Sequence, residues 1–393
     1  MQNLIKIPKP NIGKYNLNKL VELLESADVA FAVQNINQPQ YLYFDKITPP
    51  KNIIKEELWA LVKLQRKFTS QPILPLNFND RHFSLNPILA HQQLIIKLAN
   101  LNLPKANLAQ EIAYSAAIEN NLVKPLAAKK FLQESAPAKT VAEVLLKDAQ
   151  KIYANILCQE KLQINLPQNI SEEQRYVKAP HKPDMLCYIS PKLEVLQKEL
   201  PRFLDFANNN ADNIHPVTKA IILHFWFLIL NPMPQNNGIY ARAISYWFLQ
   251  KHNINLSCSK FIANDLAGYS NAISYAAQDD NDFTYFLDFI LTQMNLAASE
   301  AQNSKQQEKD FAKNTLPILQ QKHKLNLRQA KLVFYLAQSK TNRINFSSYM
   351  QENQISRKTA ADDLKGLENL GLLTPQKLGK NIFYTASGNN LFS

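Results

Sequence analysis

The residues best placed to do chemistry lie in one stretch, His215 to Gln250, which reads HPVTKAIILHFWFLILNPMPQNNGIYARAISYWFLQ. Its polar centre, Asn231 to Gly238, follows a strongly apolar run and feeds a second apolar segment starting near Ile239. A loop entering a helix N-terminus offers free N–H groups at the positive end of the helix dipole, which makes an anion site. Asn236, Asn237 and Gly238 are residue types that reach the left-handed backbone such a nest requires. Arg242, one turn on, adds a fixed charge suited to a phosphate. The alternative is a plain helix–loop–helix corner with a polar linker, and these residues alone favour it. Other chemistries have no footing. None of the seven His stands at metal-ligand spacing from another His, Asp or Glu. Cys158, Cys187 and Cys258 are far apart with no CxxC, and Ser257 and Ser356 lack a recognisable base partner. With 7 Gly in the chain, neither a P-loop nor a Rossmann glycine pattern is present. His215 reads as a cap or surface residue and His224 as a core histidine. His181 reads as a loop histidine, with a target-side role as its alternative.

The elements around this loop are mostly helical. Residues 1–85 form a small mixed portion, with short strands expected at Val29–Val33 and Tyr41–Phe44 and an amphipathic helix at Lys55–Phe68. From Pro87 to about 160 the apolar spacing is helical, with segments starting near Asn107, Leu122 and Lys139 and Pro104, Pro125 and Pro137 near their starts. Residues 163–190 break the pattern, and Arg175–Lys178 pairs with Leu186–Ile189 as a hairpin. Helices resume at Pro191–Asn208, His215–Leu230, Tyr240–Lys251, Ser257–Ala277 and Asp282–Ala298. A polar connector, SEAQNSKQQEKDFAK, follows.

Aligned on Asn237, Gly238 and Arg242, the run from Asn231 to Arg242 resembles the motif HxFx(D/E)GNGRxxR of Fic-domain (Fido) proteins. The apolar helix leading into it is similar as well. In that family the His is the general base, the acidic residue holds the metal, the GNGR loop cradles phosphates and the last Arg binds the terminal phosphate. Three of these positions depart from the pattern. Asn231 stands at the general-base position, and an amide has no usable basicity near neutral pH. Gln235 stands at the metal-ligand position as a neutral oxygen, a poor partner for magnesium. Ile239 replaces the first Arg and removes a charge from the developing phosphate negativity. Asn237, Gly238 and Arg242 remain as the nucleotide-binding part.

The resemblance covers roughly residues 55–300. Glu111–Ala128 is similar to the N-terminal inhibitory helix of Fic proteins, with the pattern (S/T)xxxE(G/N) met by Ser115, Glu119 and Asn120. In the family the Glu pairs with the motif's final Arg and blocks productive ATP binding, which here implies a pair between Glu119 and Arg242. Arg175–Ile189 sits where the family places a hairpin flap that holds a protein target by strand addition. The resemblance thus implies a catalytically weak or inactive relative of protein adenylyltransferases, acting as a regulatory or binding protein. It implies ATP as the nucleotide, with magnesium disfavoured. The alternative is an active protein adenylyl- or nucleotidyl-transferase with an atypical motif.

Residues 321–388 resemble a winged helix-turn-helix. Two short helices flank the turn Glu352–Ile355, and the second opens with Ser356, Arg357, Lys358 and Thr359, at the end of a recognition helix that enters the major groove. A wing would carry Lys377 and Lys380 to backbone phosphates. From 321 onward there are eleven Lys/Arg against four Asp/Glu, a surplus of seven out of the chain's +12, which suits DNA. Asp362 and Asp363 on the next turn would oppose it, and a protein-docking or dimerising role for the tail is the competing reading.

The expected fold class is therefore mainly α, with a helical Fic-like core and a C-terminal α+β winged helix. The expected divisions are 1–85, 86–300 with the inhibitory helix at about 107–122 and the flap at about 173–190, a connector at 301–320, and 321–393. Hydrophobic residues at 46% supply a sizeable core. The start MQNLIKIPKPN lacks a signal-peptide stretch, and Ala220–Leu230 covers only about half the ~20 residues of a membrane crossing. The expectation is a cytoplasmic protein with no membrane partner, for which a homodimer is left open.

Overall fold

A helix that is apolar on every side must be buried on every side, and the run Val217–Leu230 meets that condition, with all of its residues buried. The computed structural model describes the chain except for residues 1–2, 9, 39–40, 52, 79–80, 105, 121–140, 169–174, 210, 338–341, 379–380 and 388–393. The chain divides into two units, Met1–Glu300 and Ala301–Ser393.

In the first unit, α1 (Leu17–Leu24), α2 (Ala27–Asn37) and α3 (Lys55–Thr69) pack around Leu20, Val29, Val33, Ile36, Leu58 and Trp59. Val29–Val33, read from sequence as a strand, is helical: the buried positions Val29, Val33 and Ile36 recur at helical spacing, and Phe31 points to solvent. Tyr41–Phe44 is likewise not a strand but an extended segment ending in a single tight turn, Phe44–Lys46. Arg66 ties this portion to the rest of the unit, donating to Asn37, to the Leu42 carbonyl and to the Tyr285 hydroxyl.

A hairpin of β2 (Gln71–Phe78) and β3 (Arg81–Leu85) precedes α4 (Leu89–Ala99), α5 (Leu108–Asn120) and α6 (Val141–Leu157). The helix starts expected near Leu122 and Lys139 fall outside the described residues. The short β1 (Asn3–Leu4) pairs in parallel with β5 (Lys182–Ile189), and β5 pairs antiparallel with β4 (Tyr176–Ala179). The order β1-β5-β4 leaves β4 at an edge. Next come α7 (Leu193–Asn208), α8 (Pro216–Leu230) and α9 (Asn237–Lys251). The segment read as one helix over Ser257–Ala277 breaks into α10 (Ser259–Asn264) and α11 (Leu266–Gln278), because the Asp265 carboxylate turns back to accept from the Gly268 N–H at 2.8 Å. The run ends with α12 (Thr284–Asp310).

In the second unit a wide turn, Phe311–Thr315, leads into α13 (Leu316–His323) and α14 (Leu327–Ala337). Then β6 (Ile344–Asn345), α15 (Phe346–Asn353), α16 (Arg357–Asn369), β7 (Leu373–Leu378) and β8 (Asn381–Ala386) follow, with sheet order β6-β8-β7. The stretch 301–320, read as a connector, is helical and contributes Phe311 and Leu319 to the core of this unit. Gly371 (φ 68°) closes α16: its N–H donates to the Glu368 carbonyl and the Leu372 N–H to that of Leu367, a pair of hydrogen bonds that requires a left-handed residue between them.

Candidate functional site

The α8–α9 corner is built by local capping. Pro216 starts α8, where its missing N–H costs nothing, and His215 Nδ1 accepts from the Val217 N–H at 3.3 Å. His215 is therefore a cap, as its position suggested. Asn231 ends the helix in the left-handed region (φ 50°, ψ 52°), which Asn tolerates better than most side chains. The loop is then closed by one residue. Asn237 Oδ1 accepts from the Met233 N–H at 2.8 Å, and Asn237 Nδ2 donates to the Met233 carbonyl at 2.6 Å. Asn237 was expected to hold a ligand, but its amide is spent on the loop. Asn236, left-handed at φ 63°, precedes α9 without a side-chain cap, and its Nδ2 donates instead to Asp148 on α6 at 3.4 Å.

The positions that would carry transfer chemistry are otherwise engaged. Asn231 Nδ2 donates to the Tyr176 carbonyl of β4 at 3.4 Å, while Arg175 Nε donates to the Asn231 carbonyl at 2.9 Å. Burial lowers the pKa of Arg175. Gln235 is exposed, and Ile239 is wholly buried. Among the described residues no group of three or more His, Cys, Asp or Glu side chains could hold a metal. Gln235 offers a neutral amide oxygen, a poor partner for magnesium. Burial pushes the Cys187 thiol up to about 12 and drives that of Cys258 higher still, so neither thiol serves as a thiolate nucleophile.

The structure brings Arg242, Ser115, Glu119 and Gly238 together. Arg242 on α9 is 3% exposed; its Nε donates to Ser115 Oγ at 2.8 Å and its Nη2 to the Ser115 carbonyl at 2.9 Å. Nη2 also meets Glu119 Oε1 at 2.9 Å, so the structure brings together the two residues that the resemblance pairs. Burial opposes the charge on Arg242, but the Glu119 carboxylate, helped by Tyr269 and Tyr153, holds its pKa above the ordinary value. Arg242 Nη1 is buried with no hydrogen-bond partner. A Cβ built on Gly238 would overlap Glu119 Oε1 and come 3.0 Å from Arg242 Nη1. The carboxylate thus rests against the backbone of the first turn of α9, where the helix end favours a negative group. Asn120 ends α5, and its side chain lies outside the described residues.

These groups border a cavity of about 480 Å³ whose other wall is β4, Tyr176–Ala179. His181, in the hairpin turn, is not a free loop histidine: its Nδ1 lies 2.8 Å from Ser270 Oγ, and burial, then Lys182, lowers its pKa. His224 is a satisfied core residue, with Nε2 2.8 Å from the Tyr269 hydroxyl.

In the tail, Ser356 caps α16, accepting from the Thr359 N–H at 3.1 Å, and its hydroxyl lies 2.9 Å from Thr359 Oγ1. Arg357, Lys358 and Lys377 are exposed, and Lys380 lies outside the described residues. The two aspartates part company. Asp362 is exposed, whereas Asp363 turns inward, 5% exposed, to accept from Asn326, Arg328 and the Tyr349 hydroxyl at 3.0–3.1 Å. Asp363 therefore neither repels DNA nor faces a partner.

No family model matches the chain, and no curated protein does. Solved structures similar to it include a Fic family protein from Desulfovibrio desulfuricans G20, at 16% identity over 77% of this chain and 95% of that one, TM-score 0.47. Fic-1 (residues 134–508) from C. elegans is 14% identical over 74% and 84%, TM-score 0.45. A Fic domain containing signaling protein from Bacteroides thetaiotaomicron VPI-5482 is 17% identical over 54% and 98%, TM-score 0.38.

Proposed function

We propose that this chain is a Fic-like protein that has kept an anion pocket and its internal plug while losing the groups that transfer AMP, and that it acts by binding rather than by catalysis. The observation carrying this reading is the placement of Glu119 between Arg242 and Gly238, beside a loop whose base and metal positions are Asn231 and Gln235. With Glu119 withdrawn, the N–H groups of the first turn of α9 and the partnerless Nη1 of Arg242 would hold a phosphate of a nucleotide such as ATP. Neither Asn231 nor Gln235 would then move a proton or coordinate a cation. The edge of β4, facing the same cavity, suits an extended peptide segment added as a strand. The order of elements in 327–386 and the exposed Arg357, Lys358 and Lys377 support a winged helix contacting DNA.

The test is incubation of wild type and Glu119→Gly with labelled ATP and magnesium. We expect no label on the protein from either. Robust labelling by Glu119→Gly would overturn the reading in favour of an active nucleotidyltransferase. Calorimetry with ATP should show tighter binding to Glu119→Gly than to wild type.

A further inference from the structure

Helix α5 carries a stripe at four-residue spacing, Glu111, Ser115 and Glu119, along one face. Arg242 holds the last two. The first, some two turns away, lies outside the cavity that Glu119 blocks. Glu111 is 3% exposed and its two oxygens accept from four donors. Oε1 takes the Tyr153 hydroxyl of α6 at 2.8 Å and the Ser259 hydroxyl at 2.5 Å. Oε2 takes the Ser257 hydroxyl and the Ser259 N–H, the latter at 3.3 Å. A buried carboxylate is tolerated where its lone pairs are filled in this way, and here the donors come from two elements other than its own. They clasp the start of α5 to α6 and to the segment that opens α10.

We infer that Glu111 is a positioning residue for the plug: by fixing the start of α5 it sets Glu119 against Gly238, and the Ser257–Ser259 clasp controls access to the anion pocket from outside it. This rests on the reading of Glu119 as a plug. Moving the 257–259 segment, or weakening its grip on Glu111, frees α5 and opens the pocket with no contact to the pocket itself. The two serines are thus the point at which access is regulated.

The test uses the full chain, with ATP as probe, and four proteins: wild type, Glu111→Gln, Glu119→Gly and the double variant. Glu111→Gln keeps the shape but sets an NH₂ group against donors. We expect amide exchange in Ser115–Glu119 to rise on the order of ten- to a hundredfold while that of α8 is unchanged. We expect ATP to bind Glu111→Gln more tightly than wild type. Once Glu119 is Gly, Glu111→Gln should bring no further change, because it acts only through that carboxylate. An equal effect of Glu111→Gln with and without Glu119, or unchanged exchange in α5, overturns the inference. Should Glu111→Gln unfold, Ser257→Ala removes one donor only and must reproduce the same pattern at smaller size. If Glu119→Gly itself leaves ATP affinity unchanged, the plug reading fails, while the exchange data still decide whether Glu111 anchors α5.

Discussion

Glu119 Oε1 stands 2.9 Å from Nη2 of Arg242, and the Arg242 side chain is 2% exposed while that of Glu119 is 24% exposed. The asymmetry has a consequence: each partner's loss is felt differently, because a stranded carboxylate could still reach water and a stranded guanidinium could not.

Arg242→Ala should cost about 1–3 kcal/mol, because the Glu119 carboxylate it strands reaches water and the loss falls on Ser115, left without its donors inside the core. Glu119→Gln should cost more, about 3–5 kcal/mol, because it leaves the buried Arg242 charge with no counter-charge. Gln is the right comparison for stability, because Gly adds about 1 kcal/mol of helix cost of its own. Chemical denaturation of the three proteins at neutral pH gives the order.

Restoring Asn231→His, Gln235→Asp, Asn236→Gly and Ile239→Arg in the Glu119→Gly background is the demanding control for lost chemistry. Asn236 already has the backbone that Gly adopts freely, and Gln235 is exposed, so two of the changes are structurally mild. Ile239 is wholly buried, and an Arg there must lift its charge out toward the cavity. Recovered labelling is therefore expected to be weak, and strongest in variants that leave Ile239 in place.

Acid should destabilise the first unit through His224. Burial, then the Arg242 charge, holds its pKa well below the ordinary histidine value, so the folded state keeps it neutral. The unfolded chain takes up its proton below about pH 6.5. Stability is therefore fully present above that pH and is lost as pH falls toward the folded value, by up to about 1.4 kcal/mol per pH unit from this group. Denaturation at pH 7.5 and 5.5 should show the loss, and His224→Gln should flatten it. An equally steep loss in the variant would place the effect elsewhere.

The corner at His215–Gln250 is legible because it is written in a short local pattern, an apolar run and then a loop of residues that tolerate left-handed backbone, whereas the pair Glu119–Arg242, 123 residues apart, follows only from the resemblance to the Fic pattern. What escaped is non-local. Nothing local in the sequence marks Glu111, since its partners Tyr153, Ser257 and Ser259 lie 42 to 148 residues away. The bonds of the Asn237 side chain to Met233 exist only once the loop closes, so its part in closing the loop is not written in the local sequence. Asp363 shared a turn with Asp362, but only the packing of α14 and α15 decides which of the two faces inward. Val29, Phe31 and Val33 satisfy alternation, but Val29 and Val33 alone satisfy helical spacing, and the burial of Ile36 with the exposure of Phe31 settles the matter.

The tail should fold from 301 rather than from 321. A fragment starting at 321 lacks Phe311 and Leu319, both buried in its core. At about 1.5–3 kcal/mol for each buried side chain, that loss is about 3–6 kcal/mol, comparable to the whole stability of a small domain. Thermal unfolding of 301–393 should be cooperative and that of 321–393 weak or absent. Asp363→Ala in the longer fragment should cost about 1–3 kcal/mol by leaving Tyr349 and Arg328 without their acceptor.

If the tail contacts DNA, its charges should separate into two classes. Arg357 and Lys358 project from the capped start of α16, where a recognition helix meets base edges, so replacing either with Ala should weaken binding and alter sequence preference. Lys377 lies on β7 and is exposed; Lys377→Ala should weaken binding to all sequences alike and make the log–log salt slope shallower by about 0.9 for each phosphate no longer neutralised. With Asp363 turned into the core, Asp362 is the one acid of the pair left to oppose the phosphates, and Asp362→Ala should tighten binding at every salt concentration. The competing view, a tail that docks protein, predicts the opposite for that variant, since Asp362 would then face a basic partner. Fluorescence anisotropy of the full chain with mixed-sequence duplexes across a salt series decides between them. No binding at low salt, for wild type and Asp362→Ala alike, would remove DNA from the reading and leave the basic surplus as an ordinary solvated surface.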